Sequence, residues 1–344
     1  MKISICIPQY NRINYLLKSL AIIGNQTYQN IEIVISDDCS SDNTVEKIKE
    51  LIPLYKYPIV FSRNEKNEGY DRNYRRSIEL ASGDYAFVIG NDDSIYREES
   101  IQFLVDFLKE NNFPDIGFCN IIEESSGNSL IQRSASTCVL GAGADIAMKY
   151  YSCFSFVGGL IYKKSTFDKY NTNKYDGSIY AQMYLSVLMI ATGQRLFSIK
   201  EPMVIKDILL DGFFRNGYRD TIARKWKDYK VVDNGLPSVI NVLINALIDA
   251  KEITQQRIKF IYKRMYGVTF PYWILDFKDN GALPEAVGLI AGMVPYKSQD
   301  FKRLNTLNKV SIFILYLFSS FFALITPVFI FKEVKSRLYQ YFKK

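Results

Sequence analysis

Two pairs of adjacent aspartates are the residues of this sequence with the clearest capacity for chemistry. Asp37-Asp38 follows the apolar run Ile31–Ser36, and Asp92-Asp93 follows the apolar run Tyr85–Ile89. Adjacent like charges repel each other unless a cation lies between or above them. A divalent cation bound by Asp93 and by a substrate diphosphate would relieve that repulsion and neutralise charge on a leaving group. For either pair alone the alternative is a solvated turn, because Asp-rich turns are common.

The sequence contains no histidine among its 344 residues. The commonest general base and the commonest transition-metal ligand are therefore both absent. Acid–base or metal chemistry must use carboxylates, which favours hard cations such as Mg²⁺ or Mn²⁺. The 5 cysteines are scattered without CxxC spacing. That pattern is typical of a reducing cytoplasm.

The elements that must position the aspartates alternate between strand and helix. Apolar runs predict strands at Lys2–Ile7, Ile31–Ser36, Ile59–Arg63, Tyr85–Ile89 and Ile116–Ile121. Between them, helical periodicity predicts a helix capped by Asn11 or Asn14 and further helices over Asn43–Leu51, Arg72–Ala81 and Glu98–Asn111. This alternation predicts an α/β fold, a mostly parallel sheet with helices on both faces. Ligands bind beyond the carboxyl ends of such strands, so both aspartate pairs should lie at one rim.

The second portion of the chain is less regular. Phe154–Tyr162 is predicted to be a buried strand interrupted by Gly158-Gly159, and Ile179–Ala191 to be a helix. From residue 221 to about 266 the pattern is mostly helical.

Several other classes of protein are excluded by missing motifs. The turn after the first predicted strand reads Pro8-Gln9-Tyr10-Asn11. It lacks the glycine-rich turn of a nicotinamide-dependent dehydrogenase or a nucleotidyltransferase, and no P-loop motif is present. The net charge is +7, but no arginine-rich run interleaved with aromatic residues occurs, so nucleic-acid binding is not expected.

Five segments in order resemble the family-2 glycosyltransferases. They are Ile7–Arg12, Glu32–Thr44, Asn67–Asn73, Ser82–Val88 and Asn91–Tyr96, which together span about the first hundred residues. The resemblance implies a GT-A fold, a nucleotide-sugar donor, a divalent metal, and inversion at the anomeric carbon.

The resemblance assigns a nucleotide-binding role to residues near the ends of the first two strands. Pro8 and Tyr10 would flank the nucleobase, and Arg12 closes the same segment. Asp38, with Asp37 beside it, would accept hydrogen bonds from the base or ribose.

The same resemblance places Arg72 near the nucleotide, although an ordinary solvated helix residue is the alternative there. Asp92 would contact the ribose or the sugar, and Asp93 would bind the metal that bridges the diphosphate. The family often has Asp-Ser-Asp-Asp where this chain has Gly90-Asn91-Asp92-Asp93. The first aspartate is thus missing, while the last two are present.

The catalytic base departs further from the family pattern. The family's base is an aspartate in a Glu-Asp pair that opens a helix after a Gly-Gly strand, and Ala181-Gln182 falls at that place. Neither side chain can remove a proton from an acceptor hydroxyl. Asp176 is the nearest carboxylate and the predicted base, with a helix-capping turn as its alternative. Asp207 and Asp211 are further candidates.

The resemblance therefore implies a metal-dependent inverting glycosyltransferase acting on a lipid-linked or saccharide acceptor in bacterial surface polysaccharide synthesis. The Asn-Asp-Asp form and the missing Glu-Asp pair resemble the deoxyhexose-transferring members, such as the abequosyltransferase-like proteins. The missing pair leaves one alternative, a catalytically degenerate binding or scaffold subunit. The predicted domains are a glycosyltransferase domain at 1–215, with a nucleotide-binding half at 1–121 and an acceptor half at 122–215, then a helical extension at 216–305 and a membrane-associating segment at 306–344.

The run Val310–Phe331 carries no charge. A straight helix of about 22 residues would be about 33 Å long, enough to cross a bilayer core. A single crossing would place the basic C-terminal residues outside, against the positive-inside rule. Pro327 can end the helix, and Lys332–Lys344 fits an interfacial helix. We therefore expect a monotopic or re-entrant anchor with both ends at the cytoplasmic face of the inner membrane.

Overall fold

The structure is a computed structural model, and it describes residues 1–210 and 235–333. Ten strands of the described residues form one sheet. They are β1 Ile3–Gln9, β2 Ile31–Asp37, β3 Ile59–Arg63, β4 Tyr85–Val88, β5 Ser94–Ile95, β6 Ile116–Glu123, β7 Ser129–Ile131, β8 Cys138–Gly141, β9 Leu160–Lys163 and β10 Leu196–Lys206. Their order is β3-β2-β1-β4-β9-β6-β10-β5, with β7 paired to β6 and β8 paired to β10.

The α/β class and the five strands predicted in the first 121 residues are confirmed. Strands β3, β2, β1 and β4 are parallel, as expected. The sheet as a whole is mixed, because β9 enters antiparallel between β4 and β6. The first strand was predicted to end at Ile7, but Pro8 also lies inside β1, at a point where β4 no longer pairs with β1. A proline's missing N–H is tolerated at such a half-edge position.

Seven helices flank the sheet, and five more follow in the described residues. The first group is α1 Ile13–Ile23, α2 Thr44–Leu51, α3 Tyr70–Glu79, α4 Ser100–Glu110, α5 Ala144–Tyr150, α6 Lys164–Tyr170 and α7 Ala181–Ala191. The second group is α8 Leu236–Asp249, α9 Gln255–Arg264, α10 Phe270–Asp279, α11 Leu283–Gly292 and α12 Thr306–Ile325. Asp211 and the predicted boundary at 215 lie outside the described residues, so the domain division stays a prediction.

The strand predicted over Phe154–Tyr162 is wrong for most of its length. Its first residue ends a 3₁₀ turn, and only the part from Leu160 onward forms β9. Gly159 has a φ of 79°, a left-handed value that a β-strand cannot continue through. The loop before β9 therefore bends toward the rim of the sheet instead of extending it.

Alternating side chains of each central strand enter two different cores. Ile3, Ile5 and Ile7 pack with α1 and α4 on one face. Cys6 faces the opposite core, which extends through α7 into the helices after residue 235. Those helices are thus packed against the sheet half by a continuous apolar core.

Helix α12 is the one helix of the described residues that is long and apolar enough to cross a membrane, and 28% of its apolar window is buried in the protein. It ends before Pro327, as the sequence indicates. Lys278 of α10 closes that end, since its ammonium donates to the carbonyl oxygens of Ala323 and Thr326, both at 2.8 Å. Cations stabilise helix C-termini in this way.

Candidate active site

Both aspartate pairs lie at one rim of the sheet, as predicted. Asp37 is the last residue of β2 and Asp38 follows it, while Asp92-Asp93 follows β4. Both strands pair with β1. A hydrogen bond joins the segment after β4 to the end of β1, since the Asn91 side-chain amide donates to Gln9 Oε1 at 2.9 Å. Parallel order therefore brings together residues that are far apart in the sequence.

Asp38 is buried and anchors the loop that leads into α3. Its Oδ1 accepts from the backbone N–H of Glu68 and from Asn64 Nδ2, both at 2.8 Å. Its Oδ2 accepts from the backbone N–H of Gly69 at 2.9 Å. A carboxylate oxygen has two lone pairs, so Oδ2 keeps capacity for a further donor.

Asp37 supports the turn after β2. It accepts from the hydroxyl and the backbone N–H of Ser40 and lies 3.4 Å from Arg63 Nε. Burial raises the pKa of Asp37. These contacts indicate that Asp37 stabilises the turn after β2, next to Asp38.

Pro8 and Tyr10 lie where β1 reaches the rim. Pro8 is the next-to-last residue of β1, and the Tyr10 ring is 46% exposed. An exposed aromatic ring at the carboxyl end of a parallel strand can stack on a base.

We predict that Asp38→Ala raises the KM for the donor more than it lowers kcat. The variant loses the hydrogen bonds that hold the loop at residues 64–69, and it loses an acceptor for the nucleoside. Because the nucleoside would be bound equally in the ground and transition states, the loss of that acceptor raises KM more than it lowers kcat. Steady-state kinetics over donor concentration measure this split, with Asp106→Ala, an exposed carboxylate of α4, as the control. An unchanged KM would contradict the assignment.

Asp93 is almost completely buried in a cradle that two glycines make possible. Its Oδ2 accepts from Gly90 N at 3.1 Å, and its Oδ1 from Asp207 N at 3.3 Å. A Cβ at Gly90 or at Gly158 would lie 2.8 Å from Asp93 Oδ2. The glycine at position 90, where the family often has aspartate, thus leaves space for the Asp93 carboxylate.

The electrostatics of Asp93 fit a cation ligand. Burial, and then the charge of Asp92, raise its pKa well above the usual range for aspartate. Within the described ranges no lysine or arginine forms an ion pair with Asp93. The same residues contain no group of three or more potential ligands arranged around a metal. A cation would therefore need substrate oxygens and water to complete its shell, as Mg²⁺ commonly does with phosphates.

Asp92 is paired with Arg12 across the rim. Asp92 Oδ2 lies 2.5 Å from Arg12 Nη1, and both side chains are mostly buried. Arg12 has a φ of 60° at the start of α1, so the chain turns sharply before the helix. The two residues predicted to contact the nucleotide or sugar are thus held together in this structure.

A third carboxylate joins this cluster at the end of β10. Asp207 donates its backbone N–H to Asp93, and its side chain lies 2.5 Å from Lys206 Nζ. Burial raises the pKa of Asp207, although the Lys206 ammonium acts in the opposite direction. Ile208 N also donates to the Asp92 carbonyl at 2.9 Å. Asp207 was expected only as a further candidate for the base, because no local pattern in the sequence indicated β10.

Asp176 and Arg72 lie in a different cluster, which lines a cavity of about 640 Å³. Both oxygens of Asp176 accept from Arg75, at 2.8 Å from Nε and 2.5 Å from Nη2. Arg72 Nη1 pairs with Glu79 at 2.7 Å. The structure therefore places these two predicted site residues in an ion-pair network between α3 and the loop before α7.

A carboxylate of α3 accepts hydrogen bonds from the backbone at the start of α7. Asp71 accepts from the backbone N–H groups of Ile179 at 2.7 Å and Ala181 at 3.1 Å. Gln182, at the position of the family's base, is buried and its Oε1 has no hydrogen-bond partner. A negative charge near this helix N-terminus is thus supplied from α3 rather than from α7 itself.

The resemblance to the family-2 glycosyltransferases predicted such a rim of carboxylates on an α/β sheet, and comparison with known proteins supports that resemblance. The family model Glycosyl transferase family 2 matches residues 4–176. The chain belongs to this family, and it is a glycosyltransferase.

Several individual proteins are similar to this chain. Over 235 residues the chain is 33% identical to abequosyltransferase RfbV of Salmonella typhimurium, covering 63% of this chain and 70% of that protein. It is 27% identical over 164 residues to amylovoran biosynthesis glycosyltransferase AmsB of Erwinia amylovora, covering 45% of this chain and 52% of that one. The crystal structure of Staphylococcus aureus TarS 1–349 in complex with UDP superimposes with a TM-score of 0.60 at 15% identity, over 92% and 91% of the two chains. The predicted GT-A fold is thereby confirmed.

Proposed function

We propose that this glycosyltransferase moves a hexose or deoxyhexose from a nucleotide-sugar donor to a saccharide acceptor carried on a lipid, in the synthesis of a bacterial surface polysaccharide. The names of two relatives, an abequosyltransferase and an amylovoran biosynthesis enzyme, support the setting. TarS 1–349, which has the same fold, has also been crystallised in complex with UDP-GlcNAc, and this supports the donor class. The observation that carries the proposal is the buried Asp93, enclosed by Gly90 and Gly158 beside Asp92 and Asp207.

Each residue of the rim has a part in the proposed inverting transfer. A divalent cation, Mg²⁺ or Mn²⁺, would be held by Asp93 and would neutralise charge on the departing diphosphate. Tyr10 and the loop anchored by Asp38 would hold the nucleoside. The Arg12–Asp92 pair joins the segment after Tyr10 to the residue before Asp93 and would orient the ribose or sugar.

The proton of the acceptor hydroxyl needs a carboxylate, and two candidates remain in the described residues. Asp176 is nearest in sequence to the family's base, but Arg75 occupies both of its oxygens. Asp207 lies in the cluster of Asp92 and Asp93, and its ion pair with Lys206 involves one oxygen, Oδ2. We therefore propose Asp207 as the base, ahead of Asp176.

A thermal-shift screen of UDP-, GDP-, CDP- and dTDP-sugars with Mn²⁺ tests the proposed donor class. A ligand at a hundred times its Kd stabilises the native state by about 2.7 kcal/mol, which is a readily measured shift. Hydrolysis or transfer of the sugar that binds then tests catalysis. Binding without turnover would favour the non-catalytic binding subunit, and no shift with any nucleotide would contradict the proposed donor class.

We further propose that α12 attaches the protein to the cytoplasmic face of the inner membrane by lying in the plane of the bilayer. One of its faces exposes Val310, Ile314, Leu317, Phe318, Phe321 and Ile325. The opposite face, including Ile312 and Tyr316, is buried against α9 and α10, and the Tyr316 hydroxyl donates to the Ile290 carbonyl of α11 at 2.9 Å. A helix that packs one face against the rest of the protein and exposes an apolar second face can lie at the interface of a membrane. Lys302, Lys309 and the basic C-terminal residues of the sequence provide charges that complement anionic lipids.

We predict that Phe318→Ser combined with Phe321→Ser lowers binding to vesicles containing phosphatidylglycerol by at least tenfold. Each phenylalanine that is replaced removes on the order of 1.5 kcal/mol or more of binding free energy, because its ring is no longer buried in the membrane interface. Cosedimentation with vesicles measures the change. A deletion of the whole segment is a poorer test, because Tyr316 and Ile312 belong to the core.

The matched control is Leu54→Ser combined with Phe103→Ser, two exposed apolar side chains of the sheet half. The control should bind vesicles as the unmodified protein does. Equal binding by the α12 variant and the control would rule out this membrane face.

A further inference from the structure

A second cavity, of about 220 Å³, lies apart from the one lined by Arg72 and Asp176. Phe156 and Lys206 are among its lining residues. A Cβ at Gly158 would meet the Phe156 ring at 2.6 Å and Asp93 Oδ2 at 2.8 Å. The cavity wall and the proposed metal ligand thus contact the same glycine.

The walls of this cavity are largely apolar. Ile121 of β6 and Ile131 of β7 are directly opposite each other in the antiparallel pairing, so their side chains share one face of the sheet. Both are buried. The Phe156 ring, with the Lys206 ammonium 5.6 Å from its centroid, forms another wall.

The two basic groups of the lining are already engaged by the protein. The buried Arg133 donates to the carbonyl oxygens of Cys119 at 2.8 Å, of Cys153 at 3.1 Å and of Gly158 at 2.7 Å. Lys206 pairs with Glu123 and Asp207. Polar groups for a ligand therefore come from the hydroxyls of Ser152 and Ser155, of which the second already donates to the Ser152 carbonyl at 2.8 Å.

We infer that this cavity receives the sugar ring of the donor and selects a deoxyhexose over the corresponding hexose. The inference rests on the proposed function, because it takes the donor diphosphate to lie at Asp93. The volume is below the about 300 Å³ at which sites for drug-sized ligands begin, which suits one monosaccharide ring. A hydroxyl held against Ile121, Ile131 or Phe156 loses its hydrogen bonds to water without replacement, whereas a C–H or methyl group loses none.

The expected discrimination is moderate. A hydrophobic pocket rejects an analogue that adds only a hydroxyl by about a hundredfold at most. We therefore expect kcat/KM for hydrolysis or transfer to favour the deoxy sugar by about tenfold to a hundredfold.

The test compares donors that share a nucleotide and differ only in the sugar. UDP-, dTDP-, GDP- and CDP-glucose are each assayed beside their 6-deoxy and 3,6-dideoxy counterparts, with the full chain and Mn²⁺. The 6-deoxy and the dideoxy donors together show which edge of the ring meets the apolar wall. Equal kcat/KM for hexose and deoxyhexose donors in every series would overturn the inference.

Ile131 offers an isosteric pair of variants. Ile131→Val and Ile131→Thr shorten the side chain equally, but only threonine adds a hydroxyl to the cavity wall. We expect Ile131→Val to keep the preference for the deoxy sugar and Ile131→Thr to reduce it at least fivefold, with the affinity for the nucleoside diphosphate alone unchanged in both.

The outcomes separate this inference from the proposed function. If no nucleoside diphosphate binds the unmodified protein, both fall. If nucleotides bind but the two Ile131 variants show the same sugar preference, only the inference is wrong. A change confined to the KM of the acceptor in Ile131→Thr would assign the cavity to the acceptor and equally overturn the inference.

Discussion

The Asp93→Asn variant should lose about three orders of magnitude in transfer rate while keeping its fold. A metal's stabilisation of developing charge is worth several kcal/mol, and each 1.36 kcal/mol is a factor of ten in rate. Asparagine has the shape of aspartate, and its Oδ1 can still accept from the backbone N–H of Gly90 or Asp207. A buried neutral amide costs less than a buried carboxylate, and this gain should offset the loss of one of those two backbone hydrogen bonds. The stability of the metal-free variant should therefore stay close to that of the unmodified protein.

The measurement is kcat with saturating donor and Mn²⁺, together with urea unfolding of the metal-free protein. Asp106→Asn on α4 is the control for removal of one negative charge. Gly90→Ala is the complementary variant, since it keeps the charge but places a Cβ 2.8 Å from Asp93 Oδ2. It should also lose activity. Full activity of Asp93→Asn in excess chelator would end the metal hypothesis.

The placement of both aspartate pairs could be predicted because it depends on local patterns alone. Apolar runs define β2 and β4, and parallel strands put their carboxyl ends at one edge. No long-range contact had to be known to place Asp38 and Asp93 at that edge. The end of α12 before Pro327 could be predicted in the same way, because proline chemistry decides it.

The rest of the site depends on contacts between distant residues, which no local pattern records. Arg75 and Asp176 are 101 positions apart and form a bidentate pair. Asp207 reaches Asp93 only because β10 pairs with β5 and β6. Gly158 appeared in the sequence as a break in a strand, whereas its missing Cβ makes room for the carboxylate of the distant Asp93.

The proposed base is tested by a pair of variants with opposite expectations. Asp207→Asn should lower kcat by about a hundredfold to ten-thousandfold, the usual contribution of a positioned general base. Asp207 has a φ of 53°, a left-handed conformation that asparagine tolerates, so this variant changes the chemistry with little backbone strain. Its backbone N–H to Asp93 is retained.

Asp176→Asn should instead lower stability and leave kcat near that of the unmodified protein. It removes one of the two carboxylates that pair with Arg75, whose side chain is only 4% exposed, while Glu79 stays paired at 3.0 Å. The loss of a charge-assisted hydrogen bond of this kind costs about 1.5 kcal/mol. Urea unfolding measures that loss, and kcat is compared at a temperature where both variants are folded. Loss of kcat in Asp176→Asn, with Asp207→Asn unaffected, would return the base to the loop before α7.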